Sequence, residues 1–351
     1  MSAAYLVTGG CGFIGSALVR SLVADGHKVS VADVLSYAGH RANLRGVEGD
    51  WSLSTTDIAD GTAVATLLSE TEPAAIFHLA AETHVDRSID SAEPFVRTNV
   101  CGTHQLLEAT RRYWNTLSQS RKERFRFIHV STDEVFGSVD AGFVGEDAPY
   151  APRSPYAATK ASSNHLVRAW QTTYGLPTVT VISSNNYGPR QHPEKLIPTI
   201  VRRGMAGESI PIYGDGENLR DWIYVDDHVA AIRAALQRGK AGASYNVGTM
   251  SLASNKVVAQ HVCSALDSIR GVDQGTHARQ IAFVTDRPGH DRRYAIDTTR
   301  ARTTLGWSPK TDFRAGIEET VRWYVDNSAW ISEVMEGRYD GSRLGLMAEE
   351  K

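Results

Sequence analysis

The sequence predicts an α/β protein, a doubly wound parallel sheet with a smaller C-terminal α/β lobe. Three observations carry that prediction. Short apolar and β-branched runs alternate with helix-patterned segments over the first 135 residues. A glycine-rich loop joins the first strand to the first helix, and Asp33 closes the second strand. After about residue 175 the alternation loosens into Asn-Asn, Gly-Pro and Gly-Asp-Gly turns, short strands and scattered helices. Strands spaced by helices form a parallel sheet covered on both faces, and such sheets take ligands at the carboxyl ends of their strands.

The elements follow in order. Tyr5–Thr8 is an apolar run of strand length, and Phe13, Ile14, Ala17, Leu18 and Leu22 then recur at helical spacing. Lys28–Asp33 reads as a second strand, and a third precedes Asp57. Thr62–Ser69 is helical, Ala74–Leu79 a strand, Pro94–Tyr113 a long helix and Phe125–Ser131 a strand. Thr178–Ser183 is another β-branched strand, and Asp226–Gln237 and Phe313–Asn327 are helices. The expected division is a dinucleotide-binding core over 1–185, a lobe over 186–327 interleaved with it, and a C-terminal tail over 328–351 without periodicity.

Composition narrows the function classes. Hydrophobic residues make up 42% and charged residues 22% of the 351, which excludes disordered, collagen-like and coiled-coil chains. A net charge of −3 with no Lys/Arg block argues against nucleic acid and anionic membranes as partners. No apolar stretch reaches the roughly 20 residues needed to span a bilayer. Met-Ser-Ala-Ala-Tyr has neither a basic nor a long apolar segment, so no signal peptide is expected. Cys11, Cys101 and Cys263 stand at no metal-ligand spacing, and His84 and His192 belong to no metal motif. The chain is expected to be cytoplasmic and free of metal.

Gly9, Gly12 and Gly15 lie between strand and helix at the spacing G-x-x-G-x-x-G. Glycine permits the tight turn and lets backbone approach a pyrophosphate, which the helix N-terminus then attracts. Asp33 follows Gly15 by 18 positions and can bond both hydroxyls of an adenosine ribose. A 2′-phosphate would be repelled there, so NAD is favoured over NADP. Asp57-Ile58 falls where an adenine ring would lie, and Leu79-Ala80-Ala81 ends the fourth strand with small residues that can flank a dinucleotide.

Tyr156 and Lys160 form Y-x-x-x-K, which places both side chains on one helix face. The ammonium can lower the phenol pKa and make Tyr156 a base toward a sugar hydroxyl. Thr132 ends the fifth strand and can share that hydroxyl; the adjacent Asp133 and Glu134 can divide into an acid and a base.

Together these residues resemble the extended short-chain dehydrogenase/reductases, and among them the dTDP-glucose 4,6-dehydratases. The resemblance runs from about Tyr5 to about Tyr324. It rests on Asp33-Val-Leu-Ser-Tyr-Ala-Gly39, His78-Leu-Ala-Ala-Glu-Thr-His-Val-Asp-Arg-Ser-Ile89 and Ser131-Thr-Asp-Glu-Val-Phe-Gly137. Ser184-Asn-Asn-Tyr-Gly-Pro189, Pro193-Glu-Lys-Leu-Ile-Pro198, Ile212-Tyr-Gly-Asp-Gly216, Arg220-Asp-Trp-Ile-Tyr-Val-Asp-Asp-His228 and Asp286-Arg-Pro-Gly-His-Asp-Arg292 complete it. The resemblance implies a Rossmann domain that carries NAD and a smaller lobe that holds a nucleotide sugar in the cleft between. In the implied reaction Tyr156 takes the C4 hydroxyl proton as hydride passes from C4 to NAD. Glu134 then removes the C5 proton, Asp133 protonates the departing C6 hydroxyl, and the hydride returns to C6. NAD is regenerated in each turnover and is expected to stay tightly bound.

By the same resemblance, cofactor roles fall on Phe13, Ile14, Asp33, Val34, Leu35, Ser36, Asp57, Ile58, Leu79, Ala80, Ala81, Glu82, Thr98, Tyr156, Lys160 and Asn186, with the loop glycines. Substrate roles fall on Thr83, Thr132, Asn185, Lys195, Leu196, Pro211, Ile212, Tyr213, Arg220, Asn255, Asp286, Arg287, Pro288, Gly289 and His290. Lys195 and Arg220 are candidate clamps for the diphosphate of dTDP-glucose. A homodimer through Pro94–Tyr113 and Tyr156–Tyr174 is also implied. The sequence departs from the family pattern at Cys11, Ser36, Phe136 and Gln191-His192, and the last departure bears on the nucleotide pocket. An epimerase or decarboxylase on a nucleotide sugar would share the glycine loop and Y-x-x-x-K without needing Asp133 and Glu134. GDP-mannose dehydratases typically carry serine where Asp133 stands, and a non-catalytic NAD-binding regulator would need none of these groups.

Overall fold

A computed structural model of the chain describes residues 2–336. Its main sheet has seven strands, all parallel, ordered β10-β6-β5-β4-β1-β2-β3. The strands are β1 (Ala4–Thr8), β2 (Lys28–Ala32), β3 (Trp51–Ser54), β4 (Ala75–His78), β5 (Arg126–Thr132), β6 (Thr178–Ser183) and β10 (Ser244–Val247). Strands covered on both faces need no polar side, so Ile76, Phe77, Val179 and Val181 are wholly buried. Strand order reverses between β1 and β4, with Val7 paired to Phe77 and Thr8 to His78. A ligand cleft belongs outside the carboxyl ends of the strands at such a switch point.

Helix α1 (Phe13–Ala24) follows β1 directly, and α2 (Gly61–Thr71) follows β3. Asp60 caps α2 by accepting from the Thr62 and Ala63 amides. The long helix expected over Pro94–Tyr113 is not uniform. Val96–Gly102 forms a π-turn that runs into a helix over Thr103–Thr116. Asn99 within the π-turn explains its position. Its side chain accepts from the Glu82 amide and donates to the Glu82 carbonyl and the Thr159 hydroxyl. The wide turn therefore ties the end of β4 to the helix that carries Tyr156, and π-turns recur at functional sites.

The smaller lobe has a three-stranded sheet in the order β11-β9-β7, from β7 (Asn185–Tyr187), β9 (Leu219–Tyr224) and β11 (Leu252–Ser254). A second pair joins β8 (Ile210–Tyr213) to β12 (Ile281–Val284). The chain does not stay in this lobe. The helix Val225–Arg238 and β10 return to the main sheet, and Ile232, Tyr245 and Val247 share one core with Val7, Val179 and Val181. A separate core collects Tyr187, Ile200, Ile212, Val258, Ile317 and Tyr324.

The expected tail differs from what its sequence suggests. Ser328–Met335 is a helix, and Trp330, Ile331 and Val334 are buried in the second core. One short apolar stripe on eight residues is too brief to register as periodicity; tertiary packing supplies the order. Residues 337–351 of that tail lie outside the described residues. Trp330 meets Trp323 edge to face and Tyr324 at a tilt, and donates its indole N–H to Asn43 Oδ1 at 3.1 Å. Trp330→Ala is expected to cost about 3–5 kcal/mol, read as a lowered denaturant midpoint. An unchanged midpoint would show this helix to be energetically idle.

Candidate active site

A cleft of about 700 Å³ opens at the carboxyl ends of the strands. Gly9, Gly12, Phe13, Ile14 and Gly15 line one end, and Thr132, Asp133, Glu134, Tyr156 and Lys160 line the middle. Asn185, Asn186, Glu194 and Lys195 line the side toward the smaller lobe. Pockets of this size hold small molecules and cofactors.

At Gly9 and Gly15 the loop has room for nothing larger. A Cβ on Gly15 would stand 2.1 Å from the Gly9 carbonyl oxygen, and one on Gly9 would meet the Ala80 nitrogen at 2.6 Å. Gly9 also has φ +71°, a left-handed conformation that glycine adopts freely. Asp33 is 7% exposed and accepts from the Cys11 amide at 2.9 Å and the Leu35 amide at 2.8 Å. Burial raises its pKa, and these two bonds oppose the rise. Val34 and Ser36 line the cleft, whereas the Leu35 side chain packs on the first core. Asp57 lines the cleft and pairs with Arg97. Bare glycine backbone, a held carboxylate and a helix N-terminus fit a dinucleotide with free ribose hydroxyls. Gly15→Ala is accordingly expected to yield folded protein lacking bound dinucleotide, checked by absorbance of the acid-released cofactor. Full cofactor content would mean that the loop is not the cradle.

β5 delivers the reacting groups. It ends at Thr132, whose hydroxyl accepts from the Glu134 amide at 3.3 Å and so turns the chain into the short 3₁₀ segment Asp133–Phe136. The helix Pro155–Tyr174 presents Tyr156 and Lys160 across from it. Ser154 caps that helix, Pro155 occupies its first turn, and Gly175 ends it in the left-handed conformation. Lys160 donates to the Val130 carbonyl at 2.8 Å, and burial lowers its pKa to about 8. Two histidines lie beneath, with ring centroids 5.2 Å apart. His78 bridges Thr8 and Thr103, and His129 meets Asn164. Burial first, and then the Lys160 charge, lowers the pKa of His78 to about 3 and holds His129 well below its usual value. Both are neutral spacers under a cation.

The two carboxylates sit in unequal surroundings. Asp133 is 3% exposed and Oδ2 has no hydrogen-bond partner among the described residues. Burial, then Glu134, raises its pKa well above the carboxylate range, with Arg220 opposing. Glu134 is raised by burial too, but Arg287, Arg220 and Lys195 all oppose it. One environment favours a proton-bearing acid, and the other supports an ionised base. Tyr156 differs from the sequence expectation. Burial, then Glu134, raises its phenol, and the Thr132 hydroxyl bond only partly offsets them. A tyrosine–lysine spacing reports none of that burial.

The lobe residues divide. Thr83, Asn185 and Lys195 line the cleft; the Ile212 side chain is buried in the second core instead. Leu196, Pro211, Tyr213, Arg220, Asn255 and Asp286 to His290 lie outside the lining. Several still connect to the cleft through charge. Arg287 bonds Asp86 at 2.8 Å, Tyr213 donates to the same carboxylate at 3.1 Å, and His290 meets Asp286 at 2.6 Å. Arg220 donates to the Asp291 carbonyl at 2.7 Å and lies 4.1 Å over the Tyr294 ring.

Glu194 escaped the sequence reading. Its side chain has no solvent exposure, yet it lines the cleft with His84 Nε2 at 3.5 Å, His192 Nδ1 at 3.6 Å and Lys195 Nζ at 3.8 Å. Burial pushes its pKa up to about 7 against Lys195 and Arg87. In sequence it reads as half of an ordinary Glu-Lys surface pair. Among the described residues no group of three or more His, Cys, Asp or Glu could hold a metal, and no helix is long and apolar enough to cross a membrane.

The sequence pattern described as GDP-mannose 4,6 dehydratase matches residues 6–320. The dTDP-glucose 4,6-dehydratase of Xanthomonas campestris pv. campestris strain B100 is 50% identical over 98% of this chain and 99% of its own length. The enzyme named dTDP-glucose 4,6-dehydratase 1 in Escherichia coli K12 is 46% identical, over 95% and 96%. Among solved structures, the dTDP-glucose 4,6-dehydratase of Streptomyces venezuelae with NAD bound superposes with a TM-score of 0.85. It is 41% identical and covers 94% of this chain and 99% of its own. UDP-glucose 4-epimerase of Thermotoga maritima reaches 0.81 at 31% identity, over 92% and 99%.

Proposed function

The chain belongs to the dTDP-glucose 4,6-dehydratases of the GDP-mannose 4,6 dehydratase family, and from that premise we propose how its own residues convert dTDP-glucose to dTDP-4-keto-6-deoxyglucose. The chain is a hydro-lyase that uses NAD. The observation that carries the mechanism is the pair Asp133–Glu134, held in unequal surroundings, beside Tyr156 and Lys160. An epimerase shares the fold, so architecture alone does not choose the reaction; water elimination needs the acid and the base.

A bound NAD would supply the acceptor for the C4 hydride and the hydride for C6. Gly9 to Gly15 approach its pyrophosphate, Asp33 takes the adenosine ribose hydroxyls, and Lys160 takes the ribose near the reacting carbon. Tyr156 Oη, as the phenolate that the Lys160 charge and a bound nicotinamide cation would favour against burial, removes the C4 hydroxyl proton, with the Thr132 hydroxyl on the same oxygen. Glu134 removes the C5 proton, which the new 4-keto group has made acidic. Asp133 donates its proton to the departing C6 oxygen, and Glu134 returns its proton to C5 as the hydride reaches C6. Lys195 and Arg220 are assigned to the diphosphate, with Thr83 and Asn185 on the sugar.

dTDP-glucose carrying deuterium at C4 tests this sequence. The label should appear at C6 of the product, read by proton NMR; its loss to water would contradict a hydride held within one active site. Charge states set the pH dependence. Lys160 is cationic below about pH 8 and loses that charge as pH rises through it. Glu134 is the base only when ionised, so activity rises as pH climbs through its raised pKa. A kcat profile falling above about pH 8, from a limb that Lys160→Met abolishes, is expected; a flat profile to pH 10 would remove Lys160 from the charged role. A homodimer through the helices over residues 94–113 and 156–174, and a cytoplasmic location, complete the proposal. Light scattering of the purified protein tests the first.

A further inference from the structure

A second cavity, of about 670 Å³, lies behind the cofactor loop. Ser16, Ala17 and Arg20 of α1 form one wall, Pro189 and Arg190 a second, and Asp226, Arg233, Glu319 and Trp323 the rest. Its charges are not matched in pairs. Arg233 is neutralised by Asp25. Arg20 is hydrogen-bonded to the carbonyls of Asn43 and Arg45 and, among the described residues, pairs with no carboxylate. Arg190 lies over the Trp323 ring at 5.0 Å. Among the described residues neither Arg20 nor Arg190 has a carboxylate within salt-bridge distance, although Asp226 and Glu319 share the cavity.

The two guanidiniums also repel each other: burial, then Arg190, lowers the pKa of Arg20 to about 10. Arg190 is held at φ +69°, a left-handed backbone conformation costly for a residue with a side chain. Two half-buried guanidiniums that line one cavity, with Asp226 opposing the effect of burial on Arg190 only from beyond ion-pair distance, favour an anion that bridges them, and planar guanidiniums match phosphate oxygens. We propose that this cavity is a second binding site for a phosphate-bearing small molecule, held by Arg20 and Arg190. It is separate from the active-site cleft, yet α1 and the segment 183–195 contribute to both.

Titration calorimetry of the NAD-loaded protein with inorganic pyrophosphate tests the site. One saturable pyrophosphate per chain is expected to survive Lys195→Met, which removes the active-site phosphate contact. Its affinity should fall at least tenfold in Arg190→Gln and in Arg20→Gln, the loss of one charge-assisted bond. Thermal midpoints within a few degrees of the parent confirm that both variants fold. Titration with UMP separates the sources: UMP binding at least as tightly assigns the phosphate to a nucleotide, and weaker UMP binding assigns it to a free phosphate ion. No saturable binding in the Lys195→Met protein, or parental affinity in both arginine variants, would overturn the proposal.

Discussion

Glu134→Gln is expected to stop dehydration while leaving C4 oxidation in place. Glutamine keeps the size of the side chain but cannot take a proton. Loss of a positioned base lowers a rate by roughly 10²–10⁴, and kcat for water loss should fall by that factor. The surroundings of Glu134 make it the base of the pair, because Arg287, Arg220 and Lys195 oppose the effect of burial. Reduced nicotinamide should then accumulate in a single turnover, and the C5 proton should no longer exchange with deuterated water. Asp133→Asn should behave differently: C5 exchange continues, because the base remains, while the C6 hydroxyl leaves slowly. If Glu134→Gln dehydrated at the parental rate, the base would have to be sought elsewhere in the cleft, with Glu194 the first candidate.

Tyr156→Phe is expected to act one step earlier. Removing the phenol oxygen should suppress C4 oxidation itself by roughly 10²–10⁴, so neither reduced nicotinamide nor product forms. Stability should hardly change. The ring keeps its edge contact with Phe95 at 6.4 Å, and the deleted hydroxyl is one that burial and Glu134 disfavour in its ionised form. Cofactor content should stay at the parental level, since the glycine loop, Asp33 and Lys160 are untouched. Parental oxidation in this variant would contradict the assignment of Tyr156; loss of NAD would make the defect one of binding.

Much of the site is local in sequence and could be read there. Gly9 to Gly15 stand in one loop, Asp133 and Glu134 are neighbours, and Tyr156 and Lys160 are one helical turn apart. Each group carries its chemistry in its spacing. The parallel sheet is legible for a related reason, since strands such as Thr178–Ser183 are β-branched over most of their length, and all six residues are buried. What escaped depends on burial and on distant partners. Glu194 is a buried carboxylate only because His84, Arg87 and His192 converge on it from separate segments. The π-turn at Val96–Gly102 exists through Asn99 bonds to Glu82 and Thr159, which no local pattern encodes. Ser328–Met335 is ordered by a core assembled from residues as distant as Asn43. The upward shift of the Tyr156 phenol likewise reflects desolvation, to which the four-residue spacing is blind.

The most direct test of the central claim is mass spectrometry of dTDP-glucose incubated with purified protein and no added NAD. A product lighter by one water is expected, formed over many turnovers, because the cofactor stays bound and is regenerated. Unchanged dTDP-glucose, both without and with added NAD, would contradict it.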